Sequence, residues 1–290
     1  MVDNKFSIVV PIFENKENFI SFYENVKKVL SQNTNIKFIF VDDGNDFDLK
    51  KIVNQNDDNI FIINNIKNLG YGASIKKGVE KSNTEIIGII DSDNSYHLDH
   101  LVNLFKKFKE ENIDLLVGKR KFKYNDNFFK VQFRKIINIL STWIFQYKIE
   151  DINSGFRIFY KSDFLKDKNI YSDKFSLSST QTLCTISRDK IIKYIDTDYF
   201  KRFGSSKINI LTDPLRFIYL IFKIFLIFSP MRFFGTIGIS FILLSFLILI
   251  FSVFFLERIL DITFLILFIA GINFIFFGLI GEIIRINNNK

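Results

Sequence analysis

Short apolar runs recur along the first 120 residues, each closed by a polar segment. "FSIVVPIF" (6–13) predicts a buried strand ending at Pro11, "IKFIFVDDG" (36–44) a second, "NIFIINN" (59–65) a third, "EIIGIIDSD" (85–93) a fourth and "DLLVGKR" (114–120) a fifth. Helical spacing appears between them: Phe19, Phe22, Tyr23, Val26, Val29 and Leu30 fall on one face of "NFISFYENVKKVLSQ". "GASIKKGVEKS" and "LDHLVNLFKKFKEE" predict two more helices. Strand and helix alternate without internal repeat, so the sheet is expected to be mostly parallel and covered on both faces.

The pattern changes near residue 213. Phe233 to Leu256 carries no charge over 24 residues, and Ile262 to Gly281 none over 20. About 20 apolar residues span a bilayer as helix, so two transmembrane helices are expected, at about 233–256 and 262–284. Before them, "DPLRFIYLIFKIFLIFSP" opens on Asp213 and Pro214, a good helix start. Arg216 and Lys223, seven apart in an otherwise apolar run, predict a helix lying in the membrane interface, with a third spanning helix as the alternative. The expected organisation is a catalytic domain over 1–212, a juxtamembrane helix over 213–231 and a hairpin over 232–290.

The N-terminus has no basic start and no cleavage site, so it is not expected to be a signal peptide. The hairpin connector "ERILD" sums to −1, while Arg232, Arg285 and Lys290 flank the spans. That charge bias places the first domain in the cytoplasm, at the plasma membrane. The net charge of +8 is concentrated: Lys119 to Lys135 holds seven Lys/Arg against Asp126 alone. Such a cluster points to an anionic ligand or an anionic membrane surface. No recognition motif for nucleic acid is present. A single cysteine, Cys184, and two histidines exclude an internal disulfide and argue against zinc, so a metal here would be held by oxygen.

The chemistry gathers at strand ends, where ligands collect in parallel sheets. Pro11 to Glu14, Asp42 to Gly44, Asp91 to Asp93 and Gly118 to Arg120 all end strands. Asp91 and Asp93, two apart in extended chain, point the same way. Like charges that close repel unless a cation lies between them, and Mg²⁺ or Mn²⁺ needs few protein carboxylates when substrate phosphates complete its shell. "NLGYGAS" uses Gly70 and Gly72 for close backbone approach, but Ile75 stands where a dinucleotide fingerprint needs glycine, and no Walker A motif exists.

"SIVVPIFEN", "IFVDDGND", "NLGYGASIKKG", "IIDSDNS", "GKR", "DINSGFR" and "YFKRFGSSKI" occur in that order over residues 6–209. In this the chain resembles family 2 GT-A glycosyltransferases. It is most similar to the polyprenyl-phosphate branch, with the dolichyl-phosphate mannose synthases and bacterial undecaprenyl-phosphate glucosyltransferases. The resemblance implies a Rossmann-like GT-A domain that moves one sugar from a UDP- or GDP-linked donor to a polyprenyl phosphate, with inversion. It assigns Pro11, Glu14, Asp42, Asp43, Gly70 and Asp91 to the nucleotide sugar, and Asp91 and Asp93 to the metal. It assigns Asp93, Asp151 and Arg157 to catalysis. Arg120, Arg134, Ser154, Arg202, Ser206 and Lys207 are assigned to the acceptor phosphate. Relatives also suggest a homo-oligomer assembled through the tail. The chain departs from the family in lacking a proline after "DSD" and an acid near Gln181 and Thr182. His97 and His100 read as surface residues. "VQFRK" does not match the Q-x-x-R-W of processive synthases, so one sugar per reaction is expected. Another glycolipid or saccharide acceptor, and a non-catalytic membrane scaffold, are the alternatives.

Overall fold

The computed structural model describes residues 5–13, 16–54, 57–122, 138–139, 141–174, 176–199, 212–256 and 258–288. The chain divides into two compact units, 1–218 and 219–290.

All five expected strands form: β1 (Phe6–Ile12), β2 (Ile36–Asp42), β3 (Ile60–Asn64), β4 (Ile86–Ile89) and β5 (Leu115–Phe122). Two that the apolar pattern does not announce join them, β6 (Arg157–Tyr160) and β7 (Ile192–Tyr199), giving one sheet ordered β3-β2-β1-β4-β6-β5-β7. Pairing is parallel except on both sides of β6, which runs against β4 and β5. Its reversal has a consequence for function. Arg157 pairs with Ile89, the last residue of β4, and with Val117 of β5, so β6 starts at the edge where β4 ends and toward which β5 runs. The segment 151–156 therefore reaches the carboxyl rim by entering the sheet, whereas the other rim segments reach it by leaving.

Helix α1 (Lys16–Gln32) buries the six apolar residues of its predicted face. They pack with α3 (Leu98–Glu110) on Ile8, Val10, Phe38 and Phe40. Phe6 stacks on Phe105, and Phe19 meets Phe40 edge to face at 5.4 Å. Each such side chain contributes about 1.5–3 kcal/mol by burial, and Phe→Ala at one of these positions costs about 3–5 kcal/mol. The opposite face, with Val9 and Val41, receives α2 (Tyr71–Lys81), whose Gly78 lets the helix lie directly on both valines. Further along come helical residues 138–139, then α4 (141–145), α5 (Lys161–Lys166) and α6 (Leu177–Ser187).

Helix α7 (Thr212–Phe228) stops at Ser229, and Pro230 opens α8 (Pro230–Phe255), which is followed by α9 (Asp261–Asn288). α8 and α9 are long and apolar enough to cross a membrane, and few of their residues are buried. They form a hairpin in which Gly238 and Gly271 bring the backbones together. A Cβ on Gly238 would lie 2.6 Å from the Gly271 carbonyl oxygen. α8 starts three residues before its uncharged span and stops at Phe255, while α9 runs past its own and takes in Glu282 and Arg285, which pair across one turn.

Candidate active site

The turn after β4 carries Asp91 and Asp93. Its geometry is fixed from α1: Asn25 Nδ2 donates to Asn94 Oδ1 at 3.1 Å, and Asn94 Nδ2 donates to Ser21 Oγ at 3.2 Å. Asn94 itself adopts a left-handed φ of 56°, which asparagine tolerates. Asp93 Oδ1 accepts the Ser95 N–H at 3.0 Å, closing the turn before α3. Asp91 is pressed from two sides. A Cβ on Gly155 would lie 2.7 Å from Asp91 Oδ2, so the carboxylate occupies the space that a side chain would need. The hydroxyl of Tyr71 is buried against the same carboxylate. Burial, and then the Asp91 charge, push that hydroxyl well above the ordinary tyrosine range, so its proton stays in place.

The end of β2 is organised differently. Asp42 Oδ1 accepts from the backbone N of Asn45 at 2.9 Å and from its side chain at 2.6 Å. Asn45 in turn donates to the Ile12 carbonyl, joining the ends of β1 and β2 beside Pro11. Asp43 is buried and turned toward the loop before α2. Its Oδ1 accepts from Asn65 Nδ2 and the Leu69 N–H, and its Oδ2 from the Gly70 N–H at 3.0 Å. Gly70 has φ 104°, and a Cβ there would sit 2.7 Å from the Asp173 carbonyl oxygen. The close approach expected of Gly70 and Gly72 is therefore made to the protein's own 172–174 segment. The Ala73 N–H bonds Asp173 O at 2.9 Å. Gly70 and Asp43 thus help to shape this loop.

The third group joins β5 to the segment before β6. Arg120 forms a two-pronged pair with Asp151, Nε to Oδ2 at 2.8 Å and Nη2 to Oδ1 at 2.6 Å. The Arg120 backbone N–H adds a third bond to Oδ2. Burial opposes ionisation of Asp151, but the guanidinium outweighs it and holds the carboxyl below its usual range. Arg120, expected at the acceptor phosphate, is thus already paired with another expected site residue.

Ser154 and Arg157 lie deeper than expected. Ser154 Oγ donates to the Gly118 carbonyl at 2.6 Å, so it can only accept from the Phe156 N–H and the Tyr96 hydroxyl. Both of its lone pairs and its one proton are used inside the protein. Arg157 is 0% exposed. Nε donates to Ser154 O at 2.7 Å, Nη2 to Ile152 O at 2.9 Å and Nη1 to Thr182 Oγ1 at 2.8 Å. Burial lowers its pKa to about 10, still protonated at neutral pH. Its place, between the 151–156 segment and α6, makes it a positioning residue for Asp151 and Gly155. No face of the guanidinium reaches the rim surface. Thr182 and Gln181 on α6 hold this cation from the other side.

Glu14, Arg134, Arg202, Ser206 and Lys207, also expected at the site, lie outside the described residues. Among the described residues no group of three or more His, Cys, Asp or Glu is arranged to hold a metal ion. A divalent cation that draws most of its shell from phosphate and water needs only one or two carboxylates, and Asp91 with Asp93 supplies that donor set. Tyr71 and Tyr96 were not foreseen. Tyr71 stands inside a quoted motif, but its target lies 20 residues on, at the end of another strand.

A family model described as glycosyl transferase family 2 matches residues 7–169. The dodecaprenyl-phosphate galacturonate synthase of Rhizobium johnstonii is 22% identical over 254 residues, covering 84% of this chain and 75% of that protein. The uncharacterized protein MJ0544 of Methanocaldococcus jannaschii is 26% identical over 206 residues, covering 66% of this chain and 87% of that protein. Glucosyl-3-phosphoglycerate synthase from Mycobacterium tuberculosis, solved with Mn²⁺, UDP and phosphoglyceric acid, superposes with a TM-score of 0.60 at 12% identity. That match covers 76% of this chain and 78% of the other, and it gives the GT-A fold.

Proposed function

The chain belongs to glycosyl transferase family 2, and on that premise we propose that it transfers one sugar from a nucleotide sugar to a polyprenyl phosphate at the membrane. The observation that carries this reading is the rim itself. Asp42, the Asp91/Asp93 turn and the Arg120–Asp151 pair are delivered to one edge of the sheet by β2, β4, β5 and the start of β6. The polyprenyl acceptor is supported by the galacturonate synthase match. That match covers 84% of the chain, more than the unit ending at residue 218 can supply, so it extends into the apolar helices. The Mn²⁺ and UDP of the mycobacterial structure support a divalent cation and a nucleoside diphosphate as ligands.

In this reading Asp42 and Pro11 face the nucleotide, while Asp91 and Asp93 hold Mg²⁺ or Mn²⁺. Bound there, the cation would neutralise charge on the departing diphosphate. An acceptor phosphate monoester, with a second pKa of about 6, is mostly dianionic at neutral pH and needs little help from a base. Asp151, held ionised by Arg120, is suited to orienting rather than to taking a proton. The positively charged positions Arg134, Arg202 and Lys207, with Ser206, would offset repulsion between two anionic substrates, and Arg grips phosphate with paired hydrogen bonds. We assign 1–212 to catalysis, 213–231 to the membrane interface and 232–290 to a membrane hairpin, with the catalytic part on the cytoplasmic side of the plasma membrane.

The test is a transfer assay. Purified full-length protein in detergent, with Mg²⁺ or Mn²⁺, receives radiolabelled UDP- and GDP-sugars and undecaprenyl phosphate. A labelled lipid from one donor, lost with EDTA, is expected. Nucleotide and metal binding without labelled lipid would instead indicate another acceptor.

A further inference from the structure

The strands β3, β2, β1 and β4 run parallel, so α2, which follows β3, begins at the same edge at which β4 ends. Its first turn is pinned there. The Gly70 N–H just before it donates to Asp43 Oδ2 at 3.0 Å. The Ala73 N–H donates to the Asp173 carbonyl at 2.9 Å, and Lys76 Nζ pairs with Asp173 Oδ1 at 2.7 Å. Gly72 lies so near the 172–174 segment that a Cβ there would collide with the Ser172 carbonyl. Tyr71 stands among these anchors, so its backbone is fixed.

Its hydroxyl is buried and lies against the Asp91 carboxylate. An ionised carboxylate only accepts hydrogen bonds, so the phenol is the donor of the two. Asp91 has particular use for a directed donor. The last torsion of an aspartate side chain is broad, and Gly155 limits it by close contact from one side only. Asp91 is half-buried, so part of its carboxylate stays open at the rim. Asp93 is oriented differently, by the Ser95 N–H of its own turn at 3.0 Å. The two carboxylates of the turn thus take their orientation from different places, one from local backbone and the other from a helix that starts 20 residues upstream.

We propose that Tyr71 is a positioning residue for the metal site: its hydroxyl donates to Asp91 and holds the carboxylate in the orientation a divalent cation requires. This rests on the reading of Asp91 as a metal ligand. Tyr71 acts through Asp91, by the same logic by which groups behind a metal ligand fix its direction and its affinity.

Tyr71→Phe keeps the ring and removes the hydroxyl. Full-length protein in detergent is titrated with Mn²⁺ by electron paramagnetic resonance, with UDP and, separately, GDP present. Tyr71→Phe is expected to bind Mn²⁺ about 10–100-fold more weakly than wild type. A second readout needs no metal. In EDTA, the shifts in melting temperature caused by Tyr71→Phe and Asp91→Asn should fail to add, because both changes strike one bond, while those of Tyr71→Phe and Asp93→Asn should add. Wild-type Mn²⁺ affinity in Tyr71→Phe, alongside weakened binding in Asp91→Asn, would overturn the proposal and leave the metal reading standing. Weaker binding with additive melting shifts for Tyr71→Phe and Asp91→Asn would overturn it too, since the hydroxyl would then act through the fold and not through the carboxylate. A Tyr71→Phe protein too unstable to titrate would do the same. Wild-type affinity in Asp91→Asn would overturn the metal reading itself, and this proposal with it.

Discussion

Gly155→Ala isolates the Asp91 carboxylate from every other part of the rim. The new Cβ would lie 2.7 Å from Oδ2, 3.0 Å from Oδ1 and 3.1 Å from Cγ of Asp91. A relaxed carbon–oxygen contact is about 3.3 Å or more, so the carboxylate must move by roughly 0.6 Å. It cannot retreat freely, because the buried Tyr71 hydroxyl stands against it. The backbone is not the obstacle: Gly155 is not among the positive-φ glycines, so alanine fits its conformation. The damage should fall on geometry, with a stability cost of only about 1 kcal/mol from overpacking. Metal sites tolerate about 0.2 Å in ligand distance. Disturbing the groups that orient a ligand costs about 10–100-fold in metal affinity or activity. Mn²⁺ titration by electron paramagnetic resonance in the presence of UDP reads the affinity directly, and a thermal melt checks the fold. A folded Gly155→Ala protein with wild-type Mn²⁺ affinity would refute the placing of Asp91 at the metal.

Asp93→Asn should abolish transfer while leaving the melting temperature unchanged, and near-normal turnover would remove Asp93 from the metal. Arg120→Gln leaves Asp151 buried without its partner and should destabilise the first unit by about 3–5 kcal/mol, measured by chemical denaturation. Because the Asp151 carboxyl is depressed in the folded protein, its stabilising contribution is complete above about pH 4, the ordinary unfolded value, and is lost as pH falls below it. Acid titration of the wild type should show that loss, and Arg120→Gln should not. Arg157→Met strands the carbonyls of Ile152 and Ser154, each costing about 1–3 kcal/mol. It should lower the unfolding midpoint more than it changes the KM for donor in whatever protein remains folded. Gly70→Ala forces a side chain into φ 104° against the Asp173 carbonyl, a strain of about 1–3 kcal/mol that should appear as a lower melting temperature.

Five strands, the α1 face and two bilayer-length helices were legible in the sequence because each is a local periodicity of apolar residues, and burial follows that periodicity. The Asp91/Asp93 turn was legible for a related reason: paired carboxylates closing a buried strand are costly and stand out. Burial could not be read for residues whose partners are remote in sequence. "DINSGFR" names Asp151, Ser154 and Arg157 but does not reveal that β6 runs antiparallel. That reversal sends Asp151 to Arg120, seats Gly155 under Asp91 and turns Arg157 inward to Thr182. Asp42 and Asp43 are adjacent and alike, yet strand alternation sends one to Asn45 and the other to the 65–70 loop. Local sequence determines which segments are buried and where charge must end a strand. Which charge then meets a substrate, and which is neutralised inside, depends on the order and direction of strands. Those are set by the packing of the whole sheet.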